Sequence, residues 1–168
     1  MSVKLELYQD VKAALSAIES IKTVMHYNGQ DAQNFQKTVA KNFPQSWIQL
    51  SNIEWNPSEL TAHNSNVTQQ QKTASVIVTV YYASWMLKED DDSFETDLVA
   101  IDEIYRALTM LEGLNYQPLQ RIGEVDVPNL GVRIWAQTYT TMLTECGVSK
   151  SLTDASPVTL AITKTIIS

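Results

Sequence analysis

Glu124 and Asp126 stand two residues apart in a stretch that alternates like a β-strand, with Arg121 before them and Arg133 after a turn-forming Pro128-Asn129-Leu130-Gly131. An i,i+2 spacing puts both carboxylates on one strand face, an arrangement that can serve general acid–base chemistry. The same residues also make an ordinary cross-strand charge set, worth under about 1 kcal/mol if exposed. Nothing nearby supplies a nucleophile, so Arg121, Glu124, Asp126 and Arg133 are read as charges that set strand register.

Other chemistry-bearing residues are scattered. His26 and His63 lack the HxxxH or CxxC company that metal ligands keep, and read as ordinary histidines. The run Glu89-Asp90-Asp91-Asp92 is rich in oxygen but has neither the turn glycine nor the bidentate glutamate of a calcium loop; it reads as a solvated loop favouring the positive end of a following helix. Cys146 has no histidine near it in sequence, and no GxSxG elbow or glycine-rich phosphate loop occurs. The sequence therefore predicts no catalytic residue, no metal and no cofactor.

Composition narrows the classes further. The 168 residues carry 12 basic and 19 acidic side chains, for a formal charge of −7. No basic cluster is present to neutralise phosphates, which argues against a protein that grips nucleic acid. One cysteine fits a reducing compartment. The N-terminus lacks a signal pattern, and SVIVTVYYASWML is too short and too polar to span a bilayer. A protein soluble inside the cell that makes it, with no membrane partner, is the expectation; the sequon Asn66-Val67-Thr68 then carries no sugar.

Hydrophobic spacing supplies the elements. Leu5, Tyr8, Val11, Leu15 and Ile18 make a helical stripe over 3–19. A short strand over 21–27 ends at Asn28-Gly29, a strong turn signal. Residues 31–41 suit a short helix, and Asn42-Phe43-Pro44 breaks regular structure. A strand over 46–55 puts Ile48 and Leu50 on one face and Trp47, Gln49 and Ile53 on the other. Residues 56–72 read as a long polar loop. The strongest strand, 73–86, alternates Val76, Val78, Val80 and Tyr82 against Ile77, Thr79, Tyr81 and Trp85, which implies cover on both faces.

The clearest helix, about 93–112, has Asp92 as N-cap, Gly113 as stop, and a buried stripe of Phe94, Leu98, Ile101, Tyr105, Leu108 and Leu111. Strands over 118–127 and 131–144 follow. Residues 145–168 end in the β-prone PVTLAITKTII, an extra edge strand or an arm to a neighbour. The expected architecture is α+β: one mixed or antiparallel sheet of four to five strands packed by two main helices, with a C-terminal β-prone extension. Residues 1–144 form the domain and 145–168 the extension.

The tryptophans Trp47, Trp55, Trp85 and Trp135 fall on or beside strands, as core or as subunit contact. Trp135 alternates with Arg133, Gln137 and Tyr139, a face wetter than a core and more aromatic than a plain solvent face. Trp85, Trp135 and Tyr139, with the four register charges, are the candidate subunit-interface residues.

One resemblance joins these features. A long first helix, the Asn42-Phe43-Pro44 entry to a strand ending Ile53-Glu54-Trp55, and Gln69-Gln70-Gln71 leading into Val76-Ile77-Val78-Thr79-Val80 follow in that order. So do the helix Ile101-Asp102-Glu103-Ile104-Tyr105-Arg106-Ala107-Leu108, its end at Leu111-Glu112-Gly113, and Arg121 and Glu124 with Asp126-Val127-Pro128-Asn129-Leu130. Over about residues 1–144 this order resembles the tail terminator (tail-completion, neck) proteins of bacteriophages and prophages. The match lies in the order of elements more than in any motif, and the chain after Glu145 departs from it.

The resemblance implies an α+β virion protein and no enzyme. It implies a homo-oligomeric ring, hexameric in that family, at the head-proximal end of the tail tube, formed in the host cytoplasm. The implied partners are the tail-tube protein and the head–tail connector protein, with DNA passing through the lumen unheld. Six copies at −7 each would repel DNA and let it slide. A connector protein or a tube subunit is the alternative within the same setting; a small-molecule-binding α+β domain is the alternative outside it.

Overall fold

The computed structural model of the chain describes residues 2–30, 42–56, 59–63, 67–85, 91–127 and 132–148, with the backbone alone at 52, 59–63, 67–71, 91 and 146–148. The elements run α1 (Val3–Ser16), β1 (Thr23–His26), β2 (Gln45–Trp55), β3 (Glu59–His63), β4 (Val67–Trp85), α2 (Asp91–Leu108), β5 (Gln120–Val127) and β6 (Val132–Val148). This is the expected α+β class, with six strands in one mixed sheet where four to five were expected.

The sheet order is β1-β2-β4-β6-β5, with β3 also paired to β4. β1 lies parallel to β2, and every other pairing is antiparallel. At 19 residues β4 spans roughly 60 Å, far longer than an ordinary strand. It pairs with β6 without interruption from Gln69↔Val148 to Trp85↔Val132.

The extra strand corrects the sequence reading at 56–72. The polar segment is largely a hairpin, in which β3 pairs with the start of β4 from Glu59↔Gln71 to His63↔Val67. A second correction concerns Ile53. The ladder between β2 and β4 slips between Ser51 and Glu54, and the shift returns Ile53 to the face that Ile48 and Leu50 occupy.

Both helices cover one sheet face. Leu7, Val11 and Leu15 of α1 and Ile101, Ile104 and Leu108 of α2 pack with Val76, Val78, Val80 and Tyr82 of β4, and with Tyr139 and Leu143 of β6. On the opposite face a smaller cluster at one end of the sheet joins Phe43, Trp47, Ala83, Val132 and Ile134. The Phe43–Pro44 peptide bond is cis, and Pro44 O accepts from Lys22 N at 2.9 Å. Farther along that face Thr79, Thr138 and Thr140 are half-buried, and Ser75 and Met142 are exposed.

The helix faces are turned slightly from expectation. In α1, Leu5 is 45% exposed, while Val3 and Glu6 are buried. In α2 the buried residues are Asp97, Ala100, Ile101, Ile104 and Leu108; Phe94 and Leu98 lie at 41% and 43% exposure. The reason is Asp97, whose partners draw its face of the helix inward.

α2 starts one residue before the expected cap and ends at Leu108. Met110, not Gly113, takes the positive φ after it, at 66°. Gly113 instead makes room for a neighbour, since a β-carbon there would stand 2.1 Å from the Tyr116 ring. The proposed turn at 128–131, the helix expected over 31–41, the acidic residues 89 and 90, and the segment after 148 lie outside the described residues.

Candidate functional site

The densest polar cluster lies between α2 and the β4–β6 pair. Alternation in β4 turns Tyr82 toward the helices, and Ser84 two residues on shares that side. Register sets Tyr82 opposite Trp135 and Ser84 opposite Arg133. Asp97, nearly two turns into α2, sits above them at 5% exposure.

Its carboxylate accepts from Ser84 Oγ at 2.7 Å, from Tyr82 Oη at 3.1 Å and from Arg133 Nη1 at 2.7 Å. Charge-assisted bonds of this kind are the strong ones, and three donors leave the buried anion well satisfied. The Arg133 guanidinium also lies 4.9 Å from the centre of the Phe94 ring, which tilts against Trp135 at 6.5 Å. Burial pushes the Tyr82 phenol far above the ordinary tyrosine range, and the Asp97 charge adds to the rise.

A second polar chain continues beside it. Gln137 Nε2 donates to Ile101 O at 3.1 Å and to Glu124 Oε2 at 3.0 Å, while its Oε1 accepts from Tyr139 Oη at 2.6 Å. Arg121 Nη1 donates to Glu124 at 2.9 Å, and its guanidinium rests 4.0 Å from the centre of the Tyr105 ring. Burial raises the Tyr139 phenol, partly offset by Arg121. The two polar chains fasten α2 to the sheet at Asp97, Ile101 and Tyr105.

The seven candidate interface residues therefore separate. Arg121 and Glu124 form the expected pair on the exposed strand β5. Asp126 is exposed, with no ion pair among the described residues. Arg133 does not pair with Glu124 or Asp126; the buried Asp97 holds it instead. Tyr139 is fully buried, so it is a core residue and not a surface anchor. Its face is wet because it lies under α2, where Arg133, Gln137 and Tyr139 find hydrogen-bond partners.

Trp135 is half-buried against the main core, and its Nε1 has no hydrogen-bond partner among the described residues. Trp85 is half-buried on the opposite face, 6.0 Å from Phe43.

Sequence reading missed Asp97, Tyr82, Ser84 and Gln137 as a unit. The available signal was a carboxylate inside an apolar helical stripe. It also missed Glu6, a buried carboxylate that accepts from Leu114 N at 2.9 Å, Asn115 N at 3.3 Å and Asn115 Nδ2 at 2.7 Å. Asp10, one turn on, accepts from Tyr116 Oη at 2.9 Å. The pair ties α1 to the turn between α2 and β5.

No protein-family model matches the chain, and no curated protein does either.

No group of three or more metal-ligating side chains occurs among the described residues. His26 is exposed and meets Tyr8 edge-on at 6.2 Å. No helix among the described residues is long and apolar enough to cross a membrane. Chemically, the Asp97 and Gln137 clusters fasten one layer to another. Among the described residues, the features turned outward are β5 and the exposed apolar residues of both helices.

Beyond Ala74 and Leu143, β4 and β6 continue together as paired strands, and β3 flanks β4 on its other side. The seven residues of β4 from Val67 to Thr73 span roughly 23 Å of this three-stranded ladder.

Proposed function

We propose that this chain is a structural ring subunit of a phage tail. It ends the tail tube at the side facing the head, joins tail to head, and leaves a passage for DNA. The observation that carries the reading is the three-stranded ladder of β3, β4 and β6. It carries backbone pairing roughly 23 Å of strand beyond Ala74, and so long a sheet offers a neighbouring subunit or the tube an extended surface to pack on.

β5, which pairs only with β6 among the described residues, and the net charge of −7 support the same reading. An exposed edge strand offers unpaired backbone groups to a neighbour. An acidic passage would let DNA slide rather than stick.

The test is assembly. Purified protein viewed by negative-stain electron microscopy should give closed rings. Added to polymerising tail-tube protein, it should shorten the tubes. Open tubes of this protein alone would make it a tube subunit. A strictly monomeric protein at high concentration that leaves tube length unchanged would overturn the proposal.

A further inference from the structure

The two helices end the layer in unlike ways. On the α1 side, Ser2, Lys4, Leu5, Tyr8, His26 and Leu50 line an open, mainly apolar depression of about 460 Å³. Exposed Lys4 lines it, and exposed Lys12 follows Tyr8 one turn farther along the same stripe of α1. The nearby carboxylates do not cancel them, because Glu6 and Asp10 are turned to Leu114, Asn115 and Tyr116. This rim is apolar, concave and cationic. Next to it β1 pairs only with β2 among the described residues.

On the α2 side the surface has the opposite character. Phe94 and Leu98, one turn apart, stand out from the helix at 41% and 43% exposure, with Phe94 held up by Arg133 and Trp135 beneath. Arg106 is paired with Asp102 and Arg121 with Glu124, so among the described residues the exposed Glu95 and Asp126 are carboxylates near this ridge without an ion pair. This rim is apolar, convex and anionic, and β5 beside it pairs only with β6 among the described residues.

From these two surfaces we infer that copies of this chain join head to tail, the Phe94–Leu98 ridge of one seating in the depression beside Leu5 and Tyr8 of the next. The occupant of the depression is thus a second copy. The two patches lie on the same helix-bearing face at opposite ends of the sheet, as a heterologous contact requires if successive copies are to close into a ring. Charge complementarity fixes the order of contact: the lysine rim meets the carboxylate rim, whereas two like rims repel. The inference rests on the ring reading above and specifies which surfaces make the ring.

The experiment blocks one patch at a time. Leu5→Glu and Phe94→Glu alter exposed side chains, and each variant should keep the parent melting temperature within a few degrees. Each alone should fall to monomer in sedimentation velocity at concentrations where the parent forms rings. Mixed in equal amounts, the two should give a dimer and nothing larger, because each retains the patch the other lacks.

If both variants still form rings, or if their mixture stays monomeric, these are not the meeting surfaces, although the ring reading survives. If the parent itself never assembles, both fail. Should either variant melt early, Lys4→Glu and Asp126→Lys serve instead. Each alone should weaken association at least tenfold, and the two combined in one chain should recover most of the loss. Absence of recovery would overturn the pairing of the two rims.

Discussion

Arg133 Nη1 on β6 lies 2.7 Å from Asp97 Oδ2 on α2, and the carboxylate is the more deeply buried partner, with its side chain 7% exposed against 21% for the arginine. Ser84 and Tyr82 complete the carboxylate's bonds from β4, so one anion links three elements. Removing it strands a partly buried guanidinium. Asp97→Ala should cost about 3–5 kcal/mol, with a Tm fall on the order of 10 °C, read by urea and thermal denaturation. A loss below 1 kcal/mol would mean that water replaces the carboxylate without difficulty.

Tyr82 gives this cluster an alkaline limit. In the unfolded chain its phenol ionises near the usual tyrosine value of about 10, and in the folded protein the value lies higher. The folded state thus holds the proton longer. The resulting stabilisation is complete below about pH 10 and is lost as pH rises through that value toward the folded one. Stability measured from pH 8 to 11.5 should fall steeply above pH 10, and Tyr82→Phe should flatten that fall. An unchanged slope in the variant would remove Tyr82 as a cause.

Glu6 gathers the turn between α2 and β5 onto α1. Hydrogen bonds to a charged acceptor contribute about 1.5–3 kcal/mol each, and their donors here include two backbone N–H groups. Glu6→Ala should destabilise by at least 2 kcal/mol and speed amide exchange at Leu114 and Asn115. Exchange rates equal to the parent's would show that the turn holds without the carboxylate.

Gly113 leaves room for the Tyr116 ring, which is 5% exposed and bonded to Asp10. Gly113→Ala should cost about 1–3 kcal/mol by displacing the ring. Paired with Tyr116→Ala, the glycine substitution should add little further loss, a coupling that a double-mutant cycle detects. Additive losses would place the strain elsewhere.

The turn of the α2 face can be measured directly. Leu108→Ala removes a fully buried side chain and should cost about 2–5 kcal/mol in the monomer. Leu98→Ala, at an exposed position, should cost under about 1 kcal/mol. Equal losses would restore the stripe that sequence spacing suggests.

Those substitutions bear on what the sequence makes legible. Val76, Val78, Val80 and Tyr82 announce β4 by alternation, because one of its faces is buried. The hairpin of β3 and the start of β4 sends no such signal: NPSELTAHNSNVTQQQK is mostly polar and lacks the apolar alternation that marks a half-buried strand, so only the pairing of β3 with β4 reveals it. Asp97 misled the helix face by one position, since its partners Tyr82, Ser84 and Arg133 lie far off in sequence and local spacing carries no trace of them. Ile53 misled for a related reason, as a bulge between Ser51 and Glu54 changes strand phase without a sequence marker. Tyr139 looked like a surface anchor because Arg133, Trp135 and Gln137 beside it are amphipathic. Only the packed α2 reveals that the polar ends of Arg133 and Gln137 are met from within.

The long β4–β6 ladder also has a history in time. β4 can fold back on β2 and β3 as soon as Trp85 is made, but its other edge has no partner until β6 follows, from Val132 on. At 5–20 residues per second that interval is roughly 2–10 s. Throughout it, the uncharged run Ser75-Val76-Ile77-Val78-Thr79-Val80-Tyr81-Tyr82 presents a bare strand edge of the kind that nucleates aggregation. Chains that stop short of Val132 should therefore collect in inclusion bodies, while complete chains close the edge themselves.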